Sequence, residues 1–233
     1  GGTVKFTFKP DAGYHVKDVK VDGKSIGAVD SYTYKGLKIY SRITVEFTNG
    51  SMPFTDVNSR DWFYDDVEYV YNAGLFAGTT ATTFSPKASM TRAMLVTVLY
   101  RLEGEPGVTG TSAFDDVVRG AYYEDAVIWA AKHEIVNGVS NTQFSPNTNV
   151  TREQMAAILY RYAQYKSYRT SATTSLKGFY DANTASGYAV TPMQWAVAEK
   201  LVNGSNGSLL PRGNATRAQV AAILHRFAEN VAK

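Results

Sequence analysis

None of the 233 residues is a cysteine. This absence excludes disulfides, thiolate metal ligands and cysteine nucleophiles, and it leaves both an intracellular and an extracellular location open. Long apolar runs are missing as well, because Glu, Lys or Gln interrupts each run well before the roughly 20 residues that a membrane span needs. We therefore expect no membrane insertion.

An excess of charge of one sign is also missing. The chain has 24 basic and 21 acidic residues, a net charge of +3, and the two signs are interspersed. Proteins that bind nucleic acid usually carry a clustered basic patch, and no comparable run of lysine and arginine occurs here. We expect no nucleic-acid partner.

Residues suited to metal binding or acid–base chemistry are few. His15, His133 and His225 occupy unrelated positions and form no ligand spacing such as HExxH. The pairs Asp65–Asp66 and Asp115–Asp116 place carboxylates together, but adjacent residues on a helix point apart. We predict no catalytic residue, no metal site and no cofactor.

The first part of the chain has the alternating pattern of β-strands. Apolar and polar residues alternate in TVKFTF, VKDVKV, SYTY and RITVEF, and Asp22-Gly23 is a tight hairpin signal. We predict a small antiparallel β module over residues 1–49, followed by a linker over residues 50–53. A start at Gly1-Gly2, without methionine or a leader, is what we expect of a mature piece of a longer polypeptide.

From residue 54 the apolar period becomes helical, and one pattern occurs three times. The segments MTRAM, VTREQ and ATRAQ each begin an apolar helical run, with a Pro and a Phe at nearly constant distances before them. Three helix pairs can bury the apolar stripes that a single pair leaves exposed. We predict an α+β chain whose β module precedes a mainly α-helical, pseudo-threefold domain, with repeats at 54–103, 114–165 and 179–230.

The recurring threonine has a structural explanation. Thr151 and Thr216 are each followed three residues later by glutamine, which is the pattern of a capping box. Thr91 is followed there by Met94, so the first repeat keeps only the threonine half. Capping does not explain the arginine after each threonine, because a cation in the first helical turn faces the positive end of the helix dipole.

Two interpretations of this arginine remain open. It forms an ion pair with a nearby aspartate, or it binds an anionic ligand with help from the helix N-terminal amides. The two are compatible, since a paired aspartate can hold the arginine until a carboxylate ligand arrives. The residues concerned are Arg92, Arg152, Arg217, Asp56, Asp116 and Asp181.

The segments FTDV, NGV and FSPN, together with the three TR motifs, resemble the S-layer homology repeats of bacterial surface proteins, over residues 54 to about 230. The resemblance implies a three-pronged helical domain, monomeric with internal pseudo-threefold symmetry, that anchors an extracellular protein in the cell wall or S-layer. Its partner would be secondary cell-wall polysaccharide, usually with pyruvylated N-acetylmannosamine. The β module resembles a small β repeat of Gram-positive surface proteins. Such repeats usually begin with another strand, which this copy lacks.

The resemblance also implies ligand-binding positions in grooves between repeats. Besides the arginines and aspartates, these positions hold aromatic residues and glycines. The alternative role of the aromatic residues is packing in the core, and the alternative role of the glycines is to end a helix. They are Trp62, Tyr122, Tyr188, Gly78, Gly138 and Gly204. Some residues depart from the family pattern, among them Met94, Ala77 and the Leu-Leu-Pro of the third repeat. These departures predict that fewer than three grooves bind ligand, and we expect the groove with Arg152 to bind best.

Two other functions compete with wall anchoring. The repeats could form a protein–protein assembly module of a surface layer, or the chain could be a fragment of a carbohydrate-active hydrolase. The recurring arginine favours a glycan, because scaffolding between proteins does not require a cation at the same disfavoured position.

Overall fold

A computed structural model describes residues 3–10, 14–35, 41–48 and 52–232. The chain divides into two compact units, Gly1–Pro53 with Tyr71–Ala73, and Phe54–Val70 with Gly74–Lys233. We call them the β unit and the helical unit. The predicted linker over 50–53 lies partly outside the described residues. Strands precede helices along the chain, which confirms the predicted α+β class.

The described residues of the β unit form two small antiparallel sheets. The strands are β1 Thr3–Thr7, β2 His15–Val21, β3 Lys24–Ser25, β4 Ser31–Lys35 and β5 Ile43–Thr48. One sheet pairs β1 with β4, and the other has the order β3-β2-β5. The predicted hairpin is confirmed, since Asp22 and Gly23 have φ of 51° and 84° between β2 and β3. Val16, Val19 and Tyr34 are the buried apolar residues of this unit.

The helical unit repeats a short helix followed by a longer one. Within the part of the chain that the structure describes, none of these helices combines the length and the apolarity of a membrane span. The third repeat has two additional 3₁₀ turns, Ala182–Thr184 and Gly187–Ala189. The helices are α1 Tyr64–Asn72, α2 Arg92–Leu102, α3 Glu124–Lys132, α4 Arg152–Tyr165, α5 Val190–Ala198 and α6 Arg217–Asn230.

The threonines cap the longer helices as predicted. Thr151 and Thr216 form complete capping boxes, whereas Thr91 accepts a hydrogen bond from the Met94 amide without the reciprocal bond. Helix termination, the alternative role of Gly138, is not what the structure shows. The helix α3 ends earlier, at Lys132, and the left-handed residue after it is Glu134, with φ of 57°.

A ring of three backbone hydrogen bonds closes the repeats on one another. Met90 donates to the Ala215 carbonyl, Val150 donates to that of Met90, and Ala215 donates to that of Val150, at 2.9, 2.9 and 3.0 Å. All three residues are fully buried and lie two positions before the arginine of α2, α4 or α6. The starts of the three longer helices therefore meet at the centre of the pseudo-threefold arrangement.

Candidate functional site

Each recurring arginine leaves its own repeat and bonds to the loop of the next one. The order is cyclic, since the first repeat reaches the second, the second reaches the third, and the third returns to the first. The Nε atoms of Arg92, Arg152 and Arg217 donate to the carbonyls of Phe144, Leu209 and Phe84 at 2.8, 2.7 and 2.7 Å. These arginines therefore hold adjacent repeats together.

The aspartates hold the same loops from the other side. Asp116 accepts hydrogen bonds from the amides of Phe144 and Ser145, at 2.7 and 2.6 Å, and Asp56 and Asp181 make the equivalent pairs. Among the described residues, none of the three arginines forms an ion pair with these aspartates, so the ion-pair interpretation is wrong. Burial lowers the pKa of Arg92, and the charge of Asp116 partly offsets that effect at a distance.

The expected help from helix N-terminal amides is also absent, because neighbouring carbonyls already occupy them. In α4, the amides of Arg152 and Glu153 donate to the carbonyls of Gly213 and Pro211, both at 2.9 Å. The helices α2 and α6 repeat this arrangement with the loops of the second and first repeats. The side chain of the arginine, and not the helix terminus, is thus the group available to an anion.

Arg152 differs from its two counterparts in how many partners it has. Arg92 and Arg217 each donate a second hydrogen bond from Nη2, to the carbonyls of Asn137 at 2.8 Å and Ala77 at 2.7 Å. Arg152 makes no such bond within the described residues. Its guanidinium also makes no cation–π contact among the described residues, whereas those of Arg92 and Arg217 lie 4.6 and 4.5 Å from the ring centres of Phe144 and Phe84.

The loop of the third repeat explains this difference. Gly204 has φ of 73°, in the left-handed region, while the equivalent Gly138 does not, so the two loops follow different paths past the arginine. The ring that covers Arg92 is replaced by Leu209. The change leaves four of the five N–H groups of the Arg152 guanidinium without a described partner.

Arg152 lines a groove between the repeats. This Arg152 groove has a volume of about 440 Å³. The second repeat contributes the arginine, the third contributes Gly204, Gln219 and Arg226, and the first contributes Trp62. Three repeats thus meet at one cavity.

The Arg217 groove is smaller, at about 130 Å³. It has the same plan, with Gly78, Met94 and Arg101 from the first repeat and Tyr122 from the second. Met94 replaces the polar Gln219 of the Arg152 groove, so this groove has fewer hydrogen-bonding groups.

The aromatic residues at the predicted positions are on the surface. Trp62 and Tyr122 are each 64% exposed and Tyr188 is 52% exposed, which contradicts the alternative of core packing. Each lies beside the arginine of the following repeat in the cyclic order. Trp62 lines a groove with Arg152, Tyr122 lines a groove with Arg217, and Tyr188 is close enough to Arg92 for each to affect the pKa of the other.

The glycines have a packing role that the sequence did not indicate. A Cβ atom on Gly138 would lie 2.6 Å from Phe114 Cε1 and 2.6 Å from the Gln143 carbonyl oxygen. A Cβ atom on Gly78 would come similarly close to Phe54, and one on Gly204 would come similarly close to Phe179. The glycine therefore lets each loop pack directly on the phenylalanine that opens its own repeat.

Arg226 and Gln219 are groove residues that sequence reasoning missed. A signal for Arg226 was present in the sequence, because an arginine recurs near the end of each longer helix, at 101, 161 and 226.

The acidic pairs have structural partners. Asp66 lies 2.9 Å from His225 Nδ1, and Asp116 holds its loop. Among the described residues no cluster of three or more potential metal ligands occurs.

The fold and the grooves define a closed helical domain of three repeats, with basic and aromatic side chains between adjacent repeats. A model of the S-layer homology domain matches residues 53–93, 113–156 and 178–221, one match in each repeat. The chain belongs to the S-layer homology domain family, whose members are non-catalytic anchoring domains. This membership confirms the predicted location at the bacterial cell surface and wall.

Relatives include surface proteins and enzymes. An endoglucanase of Bacillus sp. (strain KSM-635) is 33% identical over 81% of this chain and 20% of its own length. The surface-layer 125 kDa protein of Lysinibacillus sphaericus is 32% identical over 71% of this chain and 14% of its own. A cellulosome-anchoring protein of Acetivibrio thermocellus is 25% identical over 48% and 26%. The chain thus corresponds to a small part of each relative.

Proposed function

We propose that the helical unit attaches its protein noncovalently to the cell wall by binding pyruvylated secondary cell-wall polysaccharide in the Arg152 groove. Its role is binding without catalysis. The observation that carries the proposal is the incompletely bonded guanidinium of Arg152 at a groove of about 440 Å³. A carboxylate matches the fork geometry of a guanidinium, and the pyruvate ketal supplies one.

The rest of the groove suits a sugar that carries this acid. Arg226 adds a second positive charge, and Gln219 and Ser205 offer hydrogen-bonding groups for hydroxyl or acetamido substituents. The exposed ring of Trp62 can cover the C–H face of the sugar. Asp181 contributes indirectly, because it fixes the loop that forms one wall.

The charge state of Arg152 favours this interaction. Burial lowers the pKa of its guanidinium and Asp181 partly offsets the effect, but arginine remains protonated at neutral pH. A half-buried cation with unfilled donors gains more from an anionic ligand than a fully exposed one, because the lower effective dielectric constant strengthens the attraction. Arg92 and Arg217 gain less, since backbone carbonyls already accept two of their hydrogen bonds.

The test is calorimetric titration of the full chain with pyruvylated wall polysaccharide and with the same polymer after chemical removal of pyruvate. We expect Arg152→Ala to weaken binding about 100-fold, which corresponds to about 2.7 kcal/mol for a charge-assisted contact. Arg152→Lys keeps the charge without the fork and should lose about tenfold. Arg119→Ala, an exposed arginine outside the grooves, is the matched control and should bind normally.

Two results would contradict the proposal. Equal affinity for the depyruvylated polymer would show that the carboxylate is not recognised, and unchanged affinity of Arg152→Ala would show that this groove is not the binding site.

We further propose that the chain acts as a monomer, because the three repeats satisfy one another's hydrogen bonds within one chain. Sedimentation equilibrium, with and without the polysaccharide ligand, measures this.

A further inference from the structure

Glu153 is a buried carboxylate at a position where the other two repeats have alanine. It follows Arg152 in the second repeat, and Ala93 and Ala218 occupy the same place after Arg92 and Arg217. Glu153 is only 5% exposed to solvent. A buried carboxylate requires hydrogen-bond donors, and Glu153 finds them in a different repeat.

The donors belong to the turn that carries Tyr188. The Ser186 amide donates to Glu153 Oε2 at 2.9 Å, the Ser186 hydroxyl donates to Oε1 at 2.8 Å, and the Tyr188 hydroxyl donates to Oε1 at 3.4 Å. Glu153 therefore ties the turn of the third repeat to the helix α4 of the second.

The backbones of the equivalent turns in the other repeats are anchored within their own repeats, while the Tyr122 hydroxyl itself interacts with Thr91 of the first repeat. Before Tyr122, the Gly120 amide donates to Glu124 of the same repeat at 2.6 Å. Before Trp62, the Asn58 amide donates to Asp61 at 2.8 Å. An alanine at the Glu153 position has no oxygen with which to hold these turns across a repeat boundary.

The tied turn carries the aromatic residue that corresponds to Trp62 in the Arg152 groove and to Tyr122 in the Arg217 groove, and Tyr188 and Arg92 are close enough to affect each other's pKa. Burial raises the pKa of Tyr188, the Glu153 carboxylate raises it further, and the charges of Arg161 and Arg92 oppose the shift. The Tyr188 hydroxyl is thus within electrostatic range of one carboxylate and two guanidinium groups. An acidic ligand approaching Arg92 would meet a negative charge that has no counterpart in the Arg152 groove.

We infer that Glu153 closes the Arg92 groove to acidic ligands, by fixing Tyr188 over it and by providing a resident negative charge. This inference rests on the proposed function. It assigns one carboxylate as the reason why the Arg92 and Arg152 grooves differ, and it makes Glu153 a residue that determines how many sites the domain offers. Arg92 retains three N–H groups beyond its two carbonyl bonds, so an opened groove has donors for a ligand.

The experiment uses the full chain and the pyruvate ketal of N-acetylmannosamine, in the background of Arg152→Ala so that the principal groove is silent. Adding Glu153→Ala, the residue of the other two repeats, should tighten binding at least tenfold relative to Arg152→Ala alone. The amide signals of Asn137 and Gly138 should shift on titration in the double variant. A third change, Arg92→Ala, should abolish the gained binding.

Further variants separate the tether from the charge. Glu153→Gln keeps an acceptor oxygen and removes the charge, so it should recover less than the full gain. Ser186→Gly, which introduces the residue found at Gly120 in the second repeat, removes the hydroxyl bond and should give a smaller gain of its own. Faster hydrogen exchange of the Ser186 amide in Glu153→Ala would verify the tether without any ligand.

The outcomes are distinguishable. If the unmodified chain does not bind the ketal, the proposed function fails and this inference fails with it. If the unmodified chain binds but the double variant, folded by tryptophan fluorescence, stays within twofold of Arg152→Ala, only this inference is overturned. A gain with Glu153→Gln equal to that with Glu153→Ala would overturn the role of the tether.

Discussion

Arg217→Ala should mainly reduce stability and Arg152→Ala should mainly reduce binding, although the two arginines occupy equivalent positions. Arg217 donates two hydrogen bonds of 2.7 Å to the backbone carbonyls of Phe84 and Ala77, and its guanidinium lies 4.5 Å from the centre of the Phe84 ring. Arg152 makes one such bond and no described ring contact. The first variant should therefore lose more stability and the second more affinity.

The magnitudes follow from these contacts. Hydrogen bonds to charged groups contribute about 1.5–3 kcal/mol each, and a cation–π contact about 0.5–2 kcal/mol. Relief of the cost of burying the Arg217 guanidinium offsets part of this sum, so we expect Arg217→Ala to lower the free energy of unfolding by about 3–5 kcal/mol. Arg152→Ala should lower it by about 1.5–2 kcal/mol, and Arg217→Ala should leave polysaccharide affinity within about threefold.

Tryptophan fluorescence during urea unfolding of the full chain is a suitable assay. All three tryptophans, Trp62, Trp129 and Trp195, lie in the helical unit, so the β unit does not contribute to the signal. With an m-value of about 2 kcal/mol per molar urea, the midpoint should fall by about 1.5–2.5 M for Arg217→Ala and by about 1 M or less for Arg152→Ala.

One pattern of results would refute this reasoning. If both variants lowered the midpoint equally and weakened binding equally, the hydrogen bonds that distinguish the two arginines would have no energetic consequence. Arg92→Ala provides an independent repetition, because its contacts match those of Arg217.

Three further predictions use the same unfolding assay. Thr151→Ala should lower stability by about 1 kcal/mol through loss of the helix cap, while Thr151→Ser, which keeps the hydroxyl, should cost much less. Gly138→Ala should cost about 2–3 kcal/mol because its Cβ would overlap Phe114, and Gly107→Ala, with open space around it, should be nearly neutral. The hydrogen bond to Asp66, with further help from Glu229 and Asp65, raises the pKa of His225, whereas burial lowers it less. The resulting stabilisation is complete below the pKa that His225 has in the unfolded chain, and it is lost as the pH rises through the pKa of the folded state. His225→Gln should abolish this pH dependence of stability. An unchanged pH profile of the variant would contradict the assignment.

Much of the fold could be predicted because it depends on local patterns. Alternation in TVKFTF and RITVEF gives strands, and the threonine–glutamine spacing at 151 and 216 gives capping boxes that form within a single helical turn. The recurrence of the TR motif also indicated that the repeats form one architecture. These features require contacts between residues a few positions apart, which a sequence displays directly.

The destination of each arginine could not be predicted in this way. The sequence suggested a partner aspartate, whereas Arg92 bonds to carbonyls 45 and 52 positions further along the chain, and Arg217 to carbonyls of the first repeat. Cyclic closure decides these partners, and it is a property of the packed repeats. The role of Gly138 was hidden for the same reason, since the ring it accommodates belongs to Phe114 at the start of the repeat.

The sequence by itself determined that this protein has three copies of one helical unit, that each copy carries a capped helix with an arginine at its start, and that the copies are not equivalent. The tertiary structure alone decided which arginine has unfilled hydrogen-bond donors and which turn Glu153 holds. The physical reason is that a side chain's hydrogen-bond partners depend on which backbone groups the closed ring of repeats brings within about 3 Å of it, and those groups lie far away along the chain.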